Sequence, residues 1–274
     1  MIRILKGVDE VKRFYLGLYY GSIVTIIGIF FVIMAYMALG QPNIYVTVLL
    51  FALLYILMII IGSYLPLISA KSGRLRTVSE GKLLTLVDKV IKTSNIDINN
   101  KLNLYYRPAL KRPVANATVQ GYSNFTIILN EDLVRDLKEE EIEAVLYHEI
   151  FHIKEKHDLI RTVVTISVGI VPMLLFIILD LMSINIKSSA FMSIISIIMF
   201  VCISLFILYI YRKQEFDADL YATRKCNSSQ TLINALSKMT SINKQSVKMP
   251  LFREILSTHP SLNNRIDALK RKKY

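Results

Sequence analysis

The sequence predicts a mostly α-helical membrane protein: four transmembrane helices with a polar α+β domain that carries a small antiparallel sheet. Three observations lead there. Hydrophobic residues make up 53% of the chain, and from Phe14 to Ala70 there is no Asp, Glu, Lys, Arg or His. Two more apolar runs follow, at 162–179 and 188–211. Between the two pairs, residues 102–129 shift to a β-like period, and the polar segments around them read as helices.

Met1–Arg13 is short and basic. The first span covers about 16–39 and the second about 44–65, each long enough for a hydrocarbon core that needs ~20 residues. The charge-free turn Gly40-Gln41-Pro42-Asn43 joins them into a hairpin. Arg74–Asn95 carries Leu83, Leu84, Leu86, Val87, Val90 and Ile91 on one stripe, which suits a helix covering the core of the polar domain, the preferred reading, or one lying on the membrane surface. Lys101–Tyr106, Val114–Val119 and Phe125–Leu129 are the expected strands. Asn130 is placed to cap a short helix through Leu137. Glu139–Arg161 has helical signs throughout, with acids at its start and no Gly or Pro. Pro172 is expected to kink the third span. Arg212 and Lys213 close the fourth run, and the rest is polar and helical, with Gln230–Ser241, Leu251–Leu256 and Ser261–Lys272 as helices.

Basic residues flank Met1–Arg13, Lys71–Lys82 and Arg212–Lys213, whereas the loop at 180–187 has one. Four spans with both termini inside satisfy that distribution. The chain then divides into a transmembrane hairpin (1–70), the first part of a catalytic domain (71–161), a second hairpin (162–211) and the second part of the domain (212–274). Both catalytic parts fall on the cytoplasmic face. The net charge of +12 gathers at membrane edges and the C-terminus with no recognition motif, so nucleic acid is not an expected partner. Cys202 lies in an apolar run and Cys226 in a polar segment, which argues against a disulfide framework. No cleavable signal peptide is expected, since the first apolar run is long and lacks a clear cleavage site.

The chemistry centres on His148-Glu149-Ile150-Phe151-His152. Residues four apart share a helical face, so both imidazoles can reach one metal ion, and Glu149 can contact a water on it. This is the pattern of a zinc peptidase, with two His ligands and a Glu general base. A metzincin would have a third His at position 158 and Gly at 155, where this chain has Asp158 and Glu155. A thermolysin-like Glu would fall within Val171–Met173, inside an apolar run. The best remaining candidate is Glu215, with Asp219 four residues on to orient a ligand His. The rival reading is two surface acids on a juxtamembrane helix; beside H-E-x-x-H the ligand reading is preferred.

Together these motifs resemble the HtpX-like membrane zinc metalloproteases, the peptidase family that also contains the CAAX prenyl protease. The resemblance spans most of the chain, including Glu140–His152, Glu215-Phe-Asp-Ala-Asp219, and Ser257-Thr-His-Pro260 with Arg265-Ile266. It implies a gluzincin-type endopeptidase with one zinc ion, acting on membrane or misfolded polypeptides in a prokaryotic cell membrane. It also implies that Val114, Ala115, Asn116 and Ala117 form the strand that receives substrate. The chain departs from the family pattern at Phe151, Thr118-Val119 and Ser261. His259 and Arg265 match positions suited to the oxyanion of the tetrahedral intermediate; by residue type alone they also read as a helix-cap His and a solvated charge. Two other functions stay open: a processing protease for one propeptide or signalling client, and a non-proteolytic zinc-binding membrane scaffold.

Overall fold

Continuous burial, rather than alternation, decides the order of the sheet. The computed structural model describes residues 75–96, 102–109, 113–120, 125–164, 189–244, 254–255 and 257–271. Their elements are β1 (Arg76–Thr77), α1 (Lys82–Thr93), β2 (Leu102–Arg107), β3 (Ala117–Gln120), β4 (Phe125–Asn130), α2 (Glu131–Asp136), α3 (Glu139–Lys154), α4 (Ser189–Cys226), α5 (Ser229–Ile242) and α6 (Leu262–Arg271), with a further helical stretch at 157–164. The sheet order is β1-β2-β4-β3. β1 is antiparallel to β2, with Thr77 opposite Tyr105. β2 is parallel to β4, with Leu104 opposite Ile127, and β3 is antiparallel to β4, with Thr118 opposite Ile128.

The sheet is therefore mixed, not antiparallel as expected. β4 buries five successive residues, Thr126 to Asn130, and a strand covered on both faces belongs in the middle. It inserts between β2 and β3, which leaves β3 at an edge.

α1 turns Leu86, Val87 and Val90 into the same core as Ile127 and Leu129 of β4, Leu146 and Ile150 of α3, and Leu232 of α5. Each fully buried side chain of this kind contributes roughly 1.5–3 kcal/mol. Asn130 precedes α2, but its side chain does not cap it; the amide Nδ2 donates to Val114 O at 3.0 Å instead. α3 starts on a charge-assisted cap: Glu141 accepts from Lys138 N–H at 2.8 Å and from Lys238 Nζ at 2.7 Å, tying α3 to α5.

Two differences from the sequence expectation matter for the site. α3 stops at Lys154, and the chain turns at residues 155–156 before helix resumes at 157. Lys156 takes φ 53°, a left-handed conformation that no Gly announced. Second, the apolar run that Arg212 and Lys213 close and the polar helix carrying Glu215 and Asp219 are one helix. α4 runs without interruption through 38 residues, about 57 Å at 1.5 Å per residue. Up to Tyr209 it exposes Ile198, Val201, Phe206 and Tyr209, whereas from Glu215 on it buries Glu215, Ala218, Asp219 and Ala222.

Among the described residues, no helix is long and apolar enough to cross a membrane. The expected spans at 16–39 and 44–65, the run at 162–179 beyond residue 164, and several side chains of the 188–211 run lie outside the described residues.

Replacing Glu141 with Ala removes the α3 cap and leaves the Lys238 ammonium unpaired. The expected result is a loss of about 1–3 kcal/mol, read as a lower unfolding midpoint of the detergent-purified protein. An unchanged midpoint would mean that the cap adds nothing.

Candidate metal centre

The helical period of α3 sets His148 and His152 one turn apart on the face that meets α4. Their Nε2 atoms lie 3.2 Å from each other. Glu215 Oε2 is 3.5 Å from His148 Nε2, and Glu215 Oε1 is 3.6 Å from His152 Nε2. Zinc bonds of about 2.0–2.2 Å place tetrahedral ligand atoms roughly 3.3–3.6 Å apart. Each separation is close to an edge of such a tetrahedron, the two Glu215 distances being to different oxygens of its carboxylate, and one donor from each of the three residues leaves a fourth position for water. Two imidazoles and a carboxylate are also the donor set that zinc prefers at catalytic centres.

Charge balance prepares these donors. Burial works against ionisation of Glu215, yet hydrogen bonds from His148 and His259 hold its carboxyl well below the usual range. Burial and the neighbouring His148 push His152 down to about 2, so it stays neutral and able to ligate. His148 shows the opposite balance: burial opposes its charge, but Asp219 and Glu215 raise it to about 9. A metal ion arriving there displaces a proton. Glu149 is only partly open to solvent, and burial raises its carboxyl to about 7 before a metal ion binds.

Asp219 Oδ1 lies 2.9 Å from His148 Nδ1, an ion-pair contact. Asp219 is itself gripped by Arg265, whose Nε and Nη2 donate to its two oxygens at 2.7 and 2.5 Å. Burial opposes the charge on Asp219, and Arg265 lowers its pKa despite that. A buried chain of Arg265, Asp219 and His148 therefore ends on a metal-facing nitrogen. The Arg265 fork is engaged by Asp219. His259 sits in a turn closed by the Ser257 hydroxyl, which donates to His259 O at 2.7 Å and accepts from its N–H at 3.2 Å. Its Nδ1 lies 3.2 Å from Glu215 Oε2, and 62% of its side chain is exposed.

Val114, Ala115 and Asn116 precede β3 and are not part of it; Ala117 is its first residue. The Asn116 carbonyl accepts from Asn130 N–H at 3.0 Å and so turns toward β4. Toward its other end β3 approaches the centre, where Val119, Phe125 and His152 line one small depression.

Two contributors escape a reading of the sequence. The turn at residues 155–156 carries His157 back, so that its Nδ1 lies 2.7 Å from His152 Nδ1. Burial lowers His157 to about 4 and keeps it neutral. With His152 Nε2 facing the centre, its Nδ1–H is assigned as donor to His157. On a straight helix, residue 157 would point away from 152, and no local signal marks the turn. Arg161, which reads as a charge at the mouth of an apolar run, donates from Nη2 to Glu215 Oε1 at 2.9 Å and from Nε to Gln214 Oε1 at 2.8 Å.

Two histidines one helical turn apart, a carboxylate from a second helix and an adjacent unligated Glu define a zinc metallopeptidase of the His-His-Glu class. The model described as Peptidase family M48 matches residues 78–273, and the chain belongs to that family. It is 24% identical over 254 residues to the protein named Protease HtpX homolog of Helicobacter pylori (strain Shi470), covering 83% of this chain and 81% of that one. It is 31% identical over 153 residues to the protein of the same name from Halobacterium salinarum, covering 52% and 51%. Among solved structures, the crystal structure of S. mikatae Ste24p matches with a TM-score of 0.64 and 19% identity, a likeness of fold. The match covers 94% of this chain, which spans 65% of the length of Ste24p.

Glu215→Ala should abolish stoichiometric zinc binding and activity together; retained zinc would exclude Glu215 as a ligand. His157→Ala should weaken zinc binding by about 10–100-fold, measured by competition with a chelator, because the His152 ring loses the partner that orients it. Unchanged affinity would make the contact incidental.

Proposed function

We propose that this protein is a membrane-integrated endopeptidase that cuts extended segments of membrane or misfolded proteins, in the role of quality control. One observation carries this reading. The triad and the partly open Glu149 stand beside the edge strand β3, and main-chain pairing along an edge holds a polypeptide while reading little of its sequence. When bound, zinc supplies a Lewis acid and a water of lowered pKa. Glu149 takes the proton of the attacking water and delivers it to the leaving amine. His259, partly exposed and beside Glu215, is the donor placed to meet charge developing on the scissile carbonyl oxygen. Arg265 acts through Asp219 rather than on the substrate. The names of the relatives, each a protease, agree with this chemistry.

The membrane part of the proposal rests on the charge-free runs at 16–39, 44–65, 162–179 and 188–211. The basic flanks place both termini and the catalytic domain on the cytoplasmic side. Breadth of clients follows from edge docking, which has no deep pocket to satisfy.

Glu149→Gln should abolish casein hydrolysis by the detergent-purified protein while stoichiometric zinc is retained. Hydrolysis that survives the substitution would remove Glu149 from the role of base. Membranes carrying that variant should accumulate many uncut proteins relative to wild type; accumulation of a single protein would point to a dedicated client instead.

A further inference from the structure

The main chain leading into β3 is bonded alternately on its two sides. Val114 N–H donates to Asp132 Oδ2 at 2.8 Å, and Val114 O accepts from Asn130 Nδ2 at 3.0 Å. Asn116 O accepts from Asn130 N–H. These residues face β4 and α2. Ala115 faces the other way: its N–H donates to Asn243 Oδ1 at 2.8 Å, and its carbonyl accepts from Asn243 Nδ2 at 3.0 Å. The pairing of Ala117 with Leu129 and Thr118 with Ile128 continues this alternation. Ala117 and Val119 therefore turn their N–H and C=O to the same side as Ala115, away from β4. Among the described residues, those outward groups have no partner, whereas those of Ala115 are both taken.

A primary amide is a peptide group in miniature. By accepting from N–H and donating to C=O of one residue, Asn243 occupies the place where a strand added to β3 would pair with Ala115. It is firmly mounted. Asn243 is the C-terminal cap of α5, its own N–H donates to Met239 O at 2.9 Å, and Lys244, at φ 51°, closes the helix by donating to Ser241 O at 3.1 Å.

We propose that Asn243 is a stop on the docking edge, a specificity-determining residue that ends substrate pairing at Ala117 and so limits the length of polypeptide the enzyme grips. The proposal rests on the peptidase reading above. It explains why an apparently continuous edge from Ala115 to Val119 is only partly free. Docking then uses the portion that runs toward His152. A plain tether between α5 and the segment before β3 would use the same two hydrogen bonds, and the two roles differ in what happens to long substrates.

The test uses zinc-loaded full-length protein in detergent and a nested series of peptides around one cleaved bond, extended one residue at a time at either end. In wild type, kcat/KM should stop rising at a definite length. In Asn243→Ala, the plateau should move out by one or two residues, with an added gain of roughly 2- to 10-fold, the worth of one strand hydrogen bond or so. N-methylation of the added residue should erase that gain. Asn243→Asp keeps the acceptor for Ala115 N–H and should keep the wild-type plateau. A uniform fall in kcat/KM with the plateau unmoved would make Asn243 a tether and overturn the stop. Should Asn243→Ala fail to fold, an N-methyl scan on wild type decides: beyond the scissile amide, two sensitive positions are expected, opposite Ala117 and Val119, and a third would overturn the proposal. Absence of any cleavage by wild type would bring down the peptidase reading itself, and the stop with it.

Discussion

Two carboxylates on one face of α4 are almost fully buried, Glu215 at 3% and Asp219 at 1% exposure, and the rest of the centre follows from having to pair them. Stripping an ion of water costs several kcal/mol unless partners replace the lost hydration. Arg265 meets Asp219 with its fork, and Arg161, His148 and His259 surround Glu215. These partners come from α3, the helical stretch after it, the turn at 257–260 and α6. A charge requirement at two positions of one helix thus ties four separate segments together. It also leaves an ionised carboxylate beside two imidazoles, an arrangement suited to a divalent cation.

Geometry around the ligands depends on a small departure from regular helix. A non-glycine residue in the left-handed region costs on the order of 1–3 kcal/mol, and Lys156 adopts it where a continuous helix would have been easier locally. The return is the contact between His157 and His152 and the approach of Arg161 to Glu215. Both would be lost if α3 ran straight on to residue 161. The turn therefore belongs to the metal centre as much as the motif does.

The same logic governs the sheet. β4 takes the central place because Thr126 to Asn130 are all buried, and this moves β3 to the edge nearest α3. The side chains of Asn130, Asp132 and Asn243 then satisfy the main chain of Val114 and Ala115, which has left regular pairing. What is open on this edge is decided by which main-chain groups those side chains have already taken.

Much of this was legible without coordinates because it is periodic or close in sequence. The three-and-four spacing of His148, Glu149 and His152, and of Glu215 and Asp219, needs only a helix to become a ligand face. Charge-free runs and basic flanks carry the proposal of a bilayer by length and sign, and short β-like runs marked three strands to within a few residues. The sequence could not say which strand is central, because β4 wins that place through burial on both faces by elements far along the chain. Nor could it place Arg265 on Asp219 across 46 residues, or Asn243 on Ala115 across 128. Residue type told that such groups need partners. Only the folded chain, by bringing distant segments within hydrogen-bond reach and excluding water from them, decided which partners they have.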